Sequence, residues 1–474
     1  MPRSRSNPKH RKGAKRTPIS ADGISANPRS CIIIGAGLSG LSAAHALTKG
    51  NTPEKFWDVT ILEAEKWTGG RVFSFGFDEA PGLVCELGGE WIGKGHKSII
   101  KLCDILNLDT IPHQFDFFFF EKGIRSKQFR AGANPFPKHT RVPFKRLMTQ
   151  SPHWPPHEKE ALDKKDWWTV LRDIGFDEHD LLERDLMDST DFGESIRQTG
   201  GYSAASEYSG SDRYDEMDMK IAGGNHKLVD ALEQAIRLQN GRILTSHHVT
   251  EIEQTKSPRR VVVRTADGET FSAHYCICTV PARTLTKIEF RPKLPENQRD
   301  AAEQLQYCRI MKTAILCETR FWMEREKTKF SCFSDRTSDF IFDATLGQPG
   351  TMGILCSYAV GDKADDLYGY PKRHLIERIE ADLKAIFPNK SVRILNIHRQ
   401  AWQKNKFTQG AYAFYRPGQW FPVRKTLATR FKNVLFAGEH IADEQGFMDG
   451  AIDTGQDAAS ELMKHFKKPR GKKK

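Results

Sequence analysis

The hydrophobic pattern begins with Cys31-Ile-Ile-Ile, a run of four apolar residues closed by Gly35. A run without polar alternation predicts a strand buried on both faces, as in a parallel sheet. Residues 41–47 have helical composition, and residues 58–63 (DVTILE) repeat the buried-strand pattern. Together they predict a strand–helix–strand unit of about thirty residues. Further strands are predicted at residues 241–244, 260–264, 271–280 and 433–437. Residues 374–387 place apolar side chains at i, i+3, i+4 and i+7, the pattern of an amphipathic helix. Residues 150–215 carry Trp and Leu at helical spacing. Residues 115–129 predict a hairpin turning at Lys122-Gly123. Its Phe117–Phe120 run reads either as a buried hairpin face or as an apolar entrance.

Alternation of these characters along the chain predicts an α/β fold in which a nucleotide-binding domain is interrupted twice. Residues 30–110, 218–300 and 411–463 belong to that domain, and residues 111–217 and 301–410 to a second one. Residues 1–29 and 464–474 are expected to be disordered tails.

Composition supports a globular chain: 38% of its 474 residues are hydrophobic and 28% are charged. The formal net charge of +12 first suggests an anionic partner. Its distribution changes that reading. Residues 1–20 hold seven bases and residues 464–474 seven more, with no acid in either stretch, which leaves residues 21–463 at −2. The basic excess therefore says little about the folded body. The tails leave open contact with an anionic surface or nucleic acid, or a nuclear address. Nine cysteines with no C-x-x-C pair favour reduced, buried thiols and a cytoplasmic protein over disulfides or zinc. No apolar run is long enough for a transmembrane helix, and residues 17–30 are too polar for a secretory signal. No metal site is expected.

The chemistry enters at Gly35-Ala36-Gly37-Leu38-Ser39-Gly40, which follows a strand and opens a helix. The first glycine permits the turn, the second lets a pyrophosphate approach the backbone, and the third lets helix and strand pack closely. Glu63 ends the next strand, where a carboxylate accepts ribose hydroxyls. Strand, glycines, helix, strand and acid in this order predict a bound dinucleotide. The pair Gly69-Gly70 and Arg71 follow too soon to belong to a nicotinamide fingerprint. They resemble the extended FAD motif of amine oxidase and glutathione reductase-like flavoproteins, in which Arg71 would offset pyrophosphate charge.

Three more segments resemble the flavin-containing monoamine oxidase family, and the resemblance runs from residue 30 to 465. In Cys85-Glu-Leu-Gly-Gly-Glu-Trp, it places Gly88, Gly89, Glu90 and Trp91 beside the flavin ring. In Val434-Leu-Phe-Ala-Gly-Glu-His, it brings Gly438 and Glu439 to the cofactor. A helix starting near Phe447 and Met448 would aim its positive end at the flavin. In Arg309-Ile-Met-Lys-Thr-Ala-Ile-Leu, Lys312 occupies the position of the lysine that holds a water against flavin N5. Val249 is expected to contact the adenine side through its backbone. The implied fold is a Rossmann-like FAD-binding domain of the glutathione reductase type, interleaved with a mixed-sheet plus helical substrate domain.

Two departures from the family pattern follow. Mitochondrial members bind flavin through a cysteine where this chain has Ala411, so FAD is expected to be non-covalent. The family's pair of aromatic rings facing the flavin falls on Tyr412 and Phe447, a Tyr/Phe cage unless both are core residues. The implied activity is oxidation of a small amine by hydride transfer to flavin N5, with imine hydrolysis and reoxidation by O2 to hydrogen peroxide. An L-amino-acid oxidase on the same scaffold is the alternative; a polyamine oxidase, with Glu90 or Glu194 as the acid, and a chromatin-associated demethylase are weaker ones. His440 reads as a locally hydrogen-bonded histidine rather than a base. Arg197 and Arg416 stay unplaced, and a homodimer stays open.

Overall fold

The computed structural model describes residues 29–52, 56–209, 217–256, 260–323, 329–443 and 445–464. The basic tails, apart from Arg29 in a strand and Lys464 at a helix end, lie outside the described residues.

The first strand, Arg29–Ile34, is central in a five-stranded parallel sheet. Trp57–Leu62 and then Arg242–Leu244 lie on one side of it, Tyr275–Cys278 and then Val434–Phe436 on the other. Both faces are covered, which explains the unbroken apolar run. Cys31 and Ile33 pack in a core with the helices Leu38–Thr48, His226–Leu238 and Met448–Lys464. Ile32 and Ile34 face a second core, shared with the four-stranded sheet that contains Val249–Gln254 and Val261–Thr265.

The single strand expected over residues 271–280 is two strands. Thr270–Ala273 pairs antiparallel in the four-stranded sheet, whereas Tyr275–Cys278 pairs parallel in the five-stranded one. His274 is the corner: its backbone N–H donates to Ser30 Oγ at 3.2 Å, and its carbonyl accepts from Asn433 Nδ2 at 3.0 Å. Hydrophobic periodicity does not register a change of sheet when both sheets are buried.

A seven-stranded sheet draws its strands from Asp116–Glu121, Ile124–Arg125, Ile310–Cys317, Phe330–Ser334, Phe340–Asp343, Gly353–Val360 and Ile394–Ala401. The hairpin turns at Lys122 and Gly123, both with positive φ (52° and 79°), the signature of a type I′ turn. Phe118 and Phe120 pack on one face against the amphipathic helix Lys372–Ile386, which buries Leu375, Ile379 and Leu383. Phe117 and Phe119 pack on the other face, against the helices of residues 138–208. All nine cysteines are free and buried. Among the described residues, no helix is long and apolar enough to cross a membrane.

Candidate active site

A cavity of about 430 Å³ runs from the end of the first parallel strand to the face of the seven-stranded sheet. At its nucleotide end Gly35 has φ +100°, and a Cβ on Gly40 would lie 2.0 Å from Gly35 O, so only glycine lets helix and strand touch there. A Cβ on Gly37 would meet nothing within 4 Å, so that position opens to the cavity. Gly37 also caps the helix Leu38–Thr48 with no side-chain hydrogen bond, which leaves the first N–H groups for an anion. Glu63 lines the cavity, accepts from the Ala36 N–H at 2.6 Å and from the Glu65 N–H at 2.8 Å, and burial raises its pKa. Gly69 and Gly70 are no ordinary loop. Gly69 N–H donates to Ala36 O at 2.8 Å, and a Cβ on Gly70 would lie 3.3 Å from Gly37 Cα. The second glycine pair is thus packed on the first. His247, His248 and Val249 close this end, with Lys287 and Lys406 beside His248.

The middle of the cavity joins three distant segments. Arg71 donates to Glu439 Oε1 at 2.7 Å and to Ala411 O at 2.7 Å. Burial opposes its charge, but Glu439 outweighs burial and raises its pKa. The other oxygen of Glu439 accepts from the N–H groups of Ala413 and Gly446. A Cβ on Gly88 would lie 2.0 Å from Arg71 O, and one on Gly89 would lie 3.0 Å from Met448 Cγ. Glycine at both places lets the chain pass between Arg71 and the start of the helix Met448–Lys464. Phe447 precedes that helix, lines the cavity and contacts the His96 ring at 4.9 Å between centroids.

Lys312 sits in the strand Ile310–Cys317, every residue of which is buried. Its Nζ donates to Glu90 Oε2 at 2.7 Å, Gly88 O at 3.0 Å and Glu86 O at 3.3 Å. Trp91 and Tyr358 flank it, with ring centroids at 5.3 and 5.5 Å. On the far side of Glu90, His113 Nε2 lies 2.8 Å from Oε1. Burial pushes Glu90 up, but Lys312 and His113 outweigh it and bring it down to about 2. Burial, aided by the nearby charge of Lys220, lowers His113 to about 4. Lys312 is therefore an ammonium, Glu90 a carboxylate and His113 a neutral imidazole that donates from Nε2.

The far end is aromatic: Phe115, Phe117, Phe333, Phe340, Tyr208 and Tyr358 line it, with Asp191 and Glu207 as its carboxylates. Phe117 thus serves core and cavity together. Tyr412 is pinned at this end: its hydroxyl donates to Asp191 O at 2.8 Å and lies 3.1 Å from the Tyr358 hydroxyl. The ring in hydrogen-bond contact with Tyr412 is therefore Tyr358, and Phe447 lines the same cavity, next to Gly446, whose Cβ would lie 3.4 Å from the Tyr412 ring.

The residues left unplaced by sequence lie elsewhere. Arg197 stacks on Trp168 at 3.3 Å, and Arg416 bonds Gln198. Neither lines the cavity. Glu194 pairs with Arg309 at 3.1 Å, and Glu90 pairs with Lys312, so neither acid is free for a substrate cation. His440 also departs from the sequence reading. Its Nδ1 is buried without a hydrogen-bond partner among the described residues, and burial lowers its pKa to about 4. His113, Tyr358, Asp191 and Glu207 are not legible as site residues, because Tyr358, Asp191 and Glu207 belong to elements that read as ordinary core or helix and His113 to a connecting stretch with no motif.

The cavity fits FAD on its own terms. Ser39 Oγ and Gln445 Oε1 are buried, belong to lining residues and have no hydrogen-bond partner among the described residues. Groups of this kind need a ligand or water. With Gly37 open and the helix end uncapped, the nucleotide end is an anion cradle. No cysteine lines the cavity, and Ala411 stands where the resemblance places the attachment cysteine, so no cysteinyl thioether to the flavin can form there.

A dinucleotide cradle, a buried lysine and an aromatic chamber in one cavity define a flavin-dependent oxidoreductase. The family model for flavin containing amine oxidoreductases matches residues 38–463, and the chain belongs to that family. The L-amino-acid oxidase of Crotalus adamanteus is 25% identical across 96% of this chain and 91% of its own length. The L-amino-acid oxidase of Bothrops moojeni is 24% identical across 94% and 91%. Among solved structures, putrescine oxidase superposes with a TM-score of 0.79 at 22% identity, covering 92% of this chain and 99% of that one. Cyclohexylamine oxidase from Brevibacterium oxydans IH-35A gives 0.79 at 21%, covering 93% and 100%. These likenesses establish the two-domain fold.

Proposed function

We propose that the protein oxidises an amine that carries no α-carboxylate. The observation that supports this reading is the lining of the far chamber. Among the described residues it offers aromatic rings, and the arginine and the buried lysine nearest to it, Arg71 and Lys312, are paired with Glu439 and Glu90. Among the described residues, a substrate carboxylate there would meet aromatic rings and no unpaired cation.

Bound FAD supplies the hydride acceptor and passes electrons to dioxygen, giving hydrogen peroxide. The chain's own part is placement. The aromatic walls exclude water and lower the pKa of an entering ammonium, which favours the neutral amine with its lone pair free. Tyr412, fixed by Asp191 O and Tyr358, orients the amine. Arg71 and the helix end at Leu38 receive the pyrophosphate. No side chain is required as a general base, and the buried His96 and His440, both lowered to about 4, are neutral at pH 7.

L-Amino-acid oxidation is the second reading, favoured by the snake relatives. Anaerobic mixing of the yellow holoenzyme with benzylamine, a long-chain alkylamine and L-phenylalanine tests the proposal. Amines are expected to bleach the flavin absorbance at rates well above L-phenylalanine. Bleaching by L-phenylalanine alone would overturn the proposal.

The buried, free thiols support a cytoplasmic location. The basic tails remain, as proposals, a nuclear address or a contact with anionic surfaces, and a homodimer remains the assembly to test.

A further inference from the structure

Lys312 is surrounded more completely than its place in the cavity requires. An ammonium has three protons, and Glu90, Gly88 O and Glu86 O accept all three. The side chains of Lys312 and Glu90 are 6% and 0% exposed. A lysine in such a place would ordinarily shed its proton to escape burial. The carboxylate of Glu90 prevents this, and His113 holds that carboxylate from behind. Three elements meet here: the segment after Cys85–Glu86, the stretch following Thr110–Pro112, and the strand Ile310–Cys317.

We propose that Glu90, steadied by His113, is a positioning residue that keeps Lys312 protonated and holds its ammonium against the Gly88 carbonyl. The other charged or titratable groups facing the pair are few. Lys220 is buried and donates to Ala344 O at 2.8 Å. Glu86 accepts from Asn225 N–H and Ser74 Oγ at 2.9 and 2.8 Å. The thiols of Cys85 and Cys356 face Lys312. None of them bonds Lys312 with a charged atom, so Glu90 is its counter-ion. The consequence is a site with a fixed, proton-saturated cation whose charge is balanced locally. The inference holds whichever amine the enzyme takes.

The test is a pH titration of the visible flavin spectrum of the holoenzyme without substrate. Across the range in which FAD stays bound, wild type is expected to be flat. Glu90→Gln is expected to show a titration, because Lys312 now loses its proton at lower pH. That titration is expected to vanish in the double variant Glu90→Gln with Lys312→Met, and to be absent in Glu90→Asp, which keeps the charge. A flat Glu90→Gln spectrum, or a titration surviving in the double variant, would overturn the proposal. If Glu90→Gln fails to retain FAD because a buried charge is left alone, the double variant is expected to recover FAD content, since both charges are gone. No recovery there would equally overturn it.

Discussion

Arg71 and Glu439, 368 positions apart in the chain, meet at 2.7 Å and close the cavity between the glycine-rich turn and the last helix. Their side chains are 22% and 6% exposed. Breaking a largely buried pair strands the remaining charge, at a cost of about 2–4 kcal/mol in such a setting. Glu439→Gln is therefore expected to lower the melting temperature of the FAD-loaded protein by several degrees. Because the two residues act as a unit, the double change with Arg71→Met is expected to cost less than the two single changes added. Additive losses in thermal melts would show that the contact carries no coupling.

Two glycines three residues apart separate folding from binding. Gly40→Ala drives a Cβ to 2.0 Å from Gly35 O, so it is expected to reduce soluble, folded protein sharply. Gly37→Ala meets no protein atom, and its stability without FAD is expected to stay within about 0.5 kcal/mol of wild type. Its FAD affinity is expected to fall about tenfold or more, because the methyl group occupies the pyrophosphate approach. Fluorescence titration with FAD reads the second effect directly. Unchanged affinity would remove Gly37 from the cradle.

Three buried histidines set the acid limit. Burial lowers His96, His113 and His440 to about 4 each, below the ordinary 6.5. At these three sites the unfolded chain binds more protons than the folded one between about pH 6.5 and 4, whereas Asp163, raised by burial to about 7, works in the opposite direction. The stability that the histidines contribute is fully present above that window and is lost as pH falls through it. Each histidine contributes on the order of 3 kcal/mol across the window. Glu90, held near 2, adds a loss in the same direction, below the ordinary carboxylate range. The change in melting temperature from pH 6.5 to 4.5 is expected to be less destabilising in His96→Gln than in wild type, because one lowered histidine is removed. An identical acid limb in that variant would contradict the lowered pKa of His96.

Tyr412 is expected to act as an oriented wall. Tyr412→Phe keeps the ring and loses the bonds to Asp191 O and Tyr358, so kcat with a small amine should fall by less than about tenfold. Tyr412→Ala removes the ring and should cost at least about tenfold in kcat/KM. Equal losses in the two variants would assign the role to the hydroxyl.

The parallel sheet and nucleotide cradle were legible because their information is local. Gly35, Gly37, Gly40 and Glu63 lie within one strand–helix–strand unit, and each has a steric or hydrogen-bonding reason to be what it is. Gly70, Gly88 and Lys312 became legible through the family resemblance. The rest depended on contacts between distant elements. Nothing in Glu90-Trp91 announces His113, and Tyr358 lies in a strand whose every residue is buried. Residues 271–280 read as one strand yet divide between two sheets for the same reason: both sheets are buried, so the pattern is continuous while the pairing is not.

Matched amine and amino-acid pairs test the substrate preference most directly. Hydrogen peroxide release should be measured from the holoenzyme with L-phenylalanine against phenethylamine, L-tyrosine against tyramine, and L-leucine against isoamylamine. A chamber walled by aromatic rings, with Arg71 and Lys312 already paired, predicts that at least one amine gives the higher kcat/KM in its pair, by tenfold or more, and that no amino acid does. Turnover of the amino acids with inert amines would contradict the account.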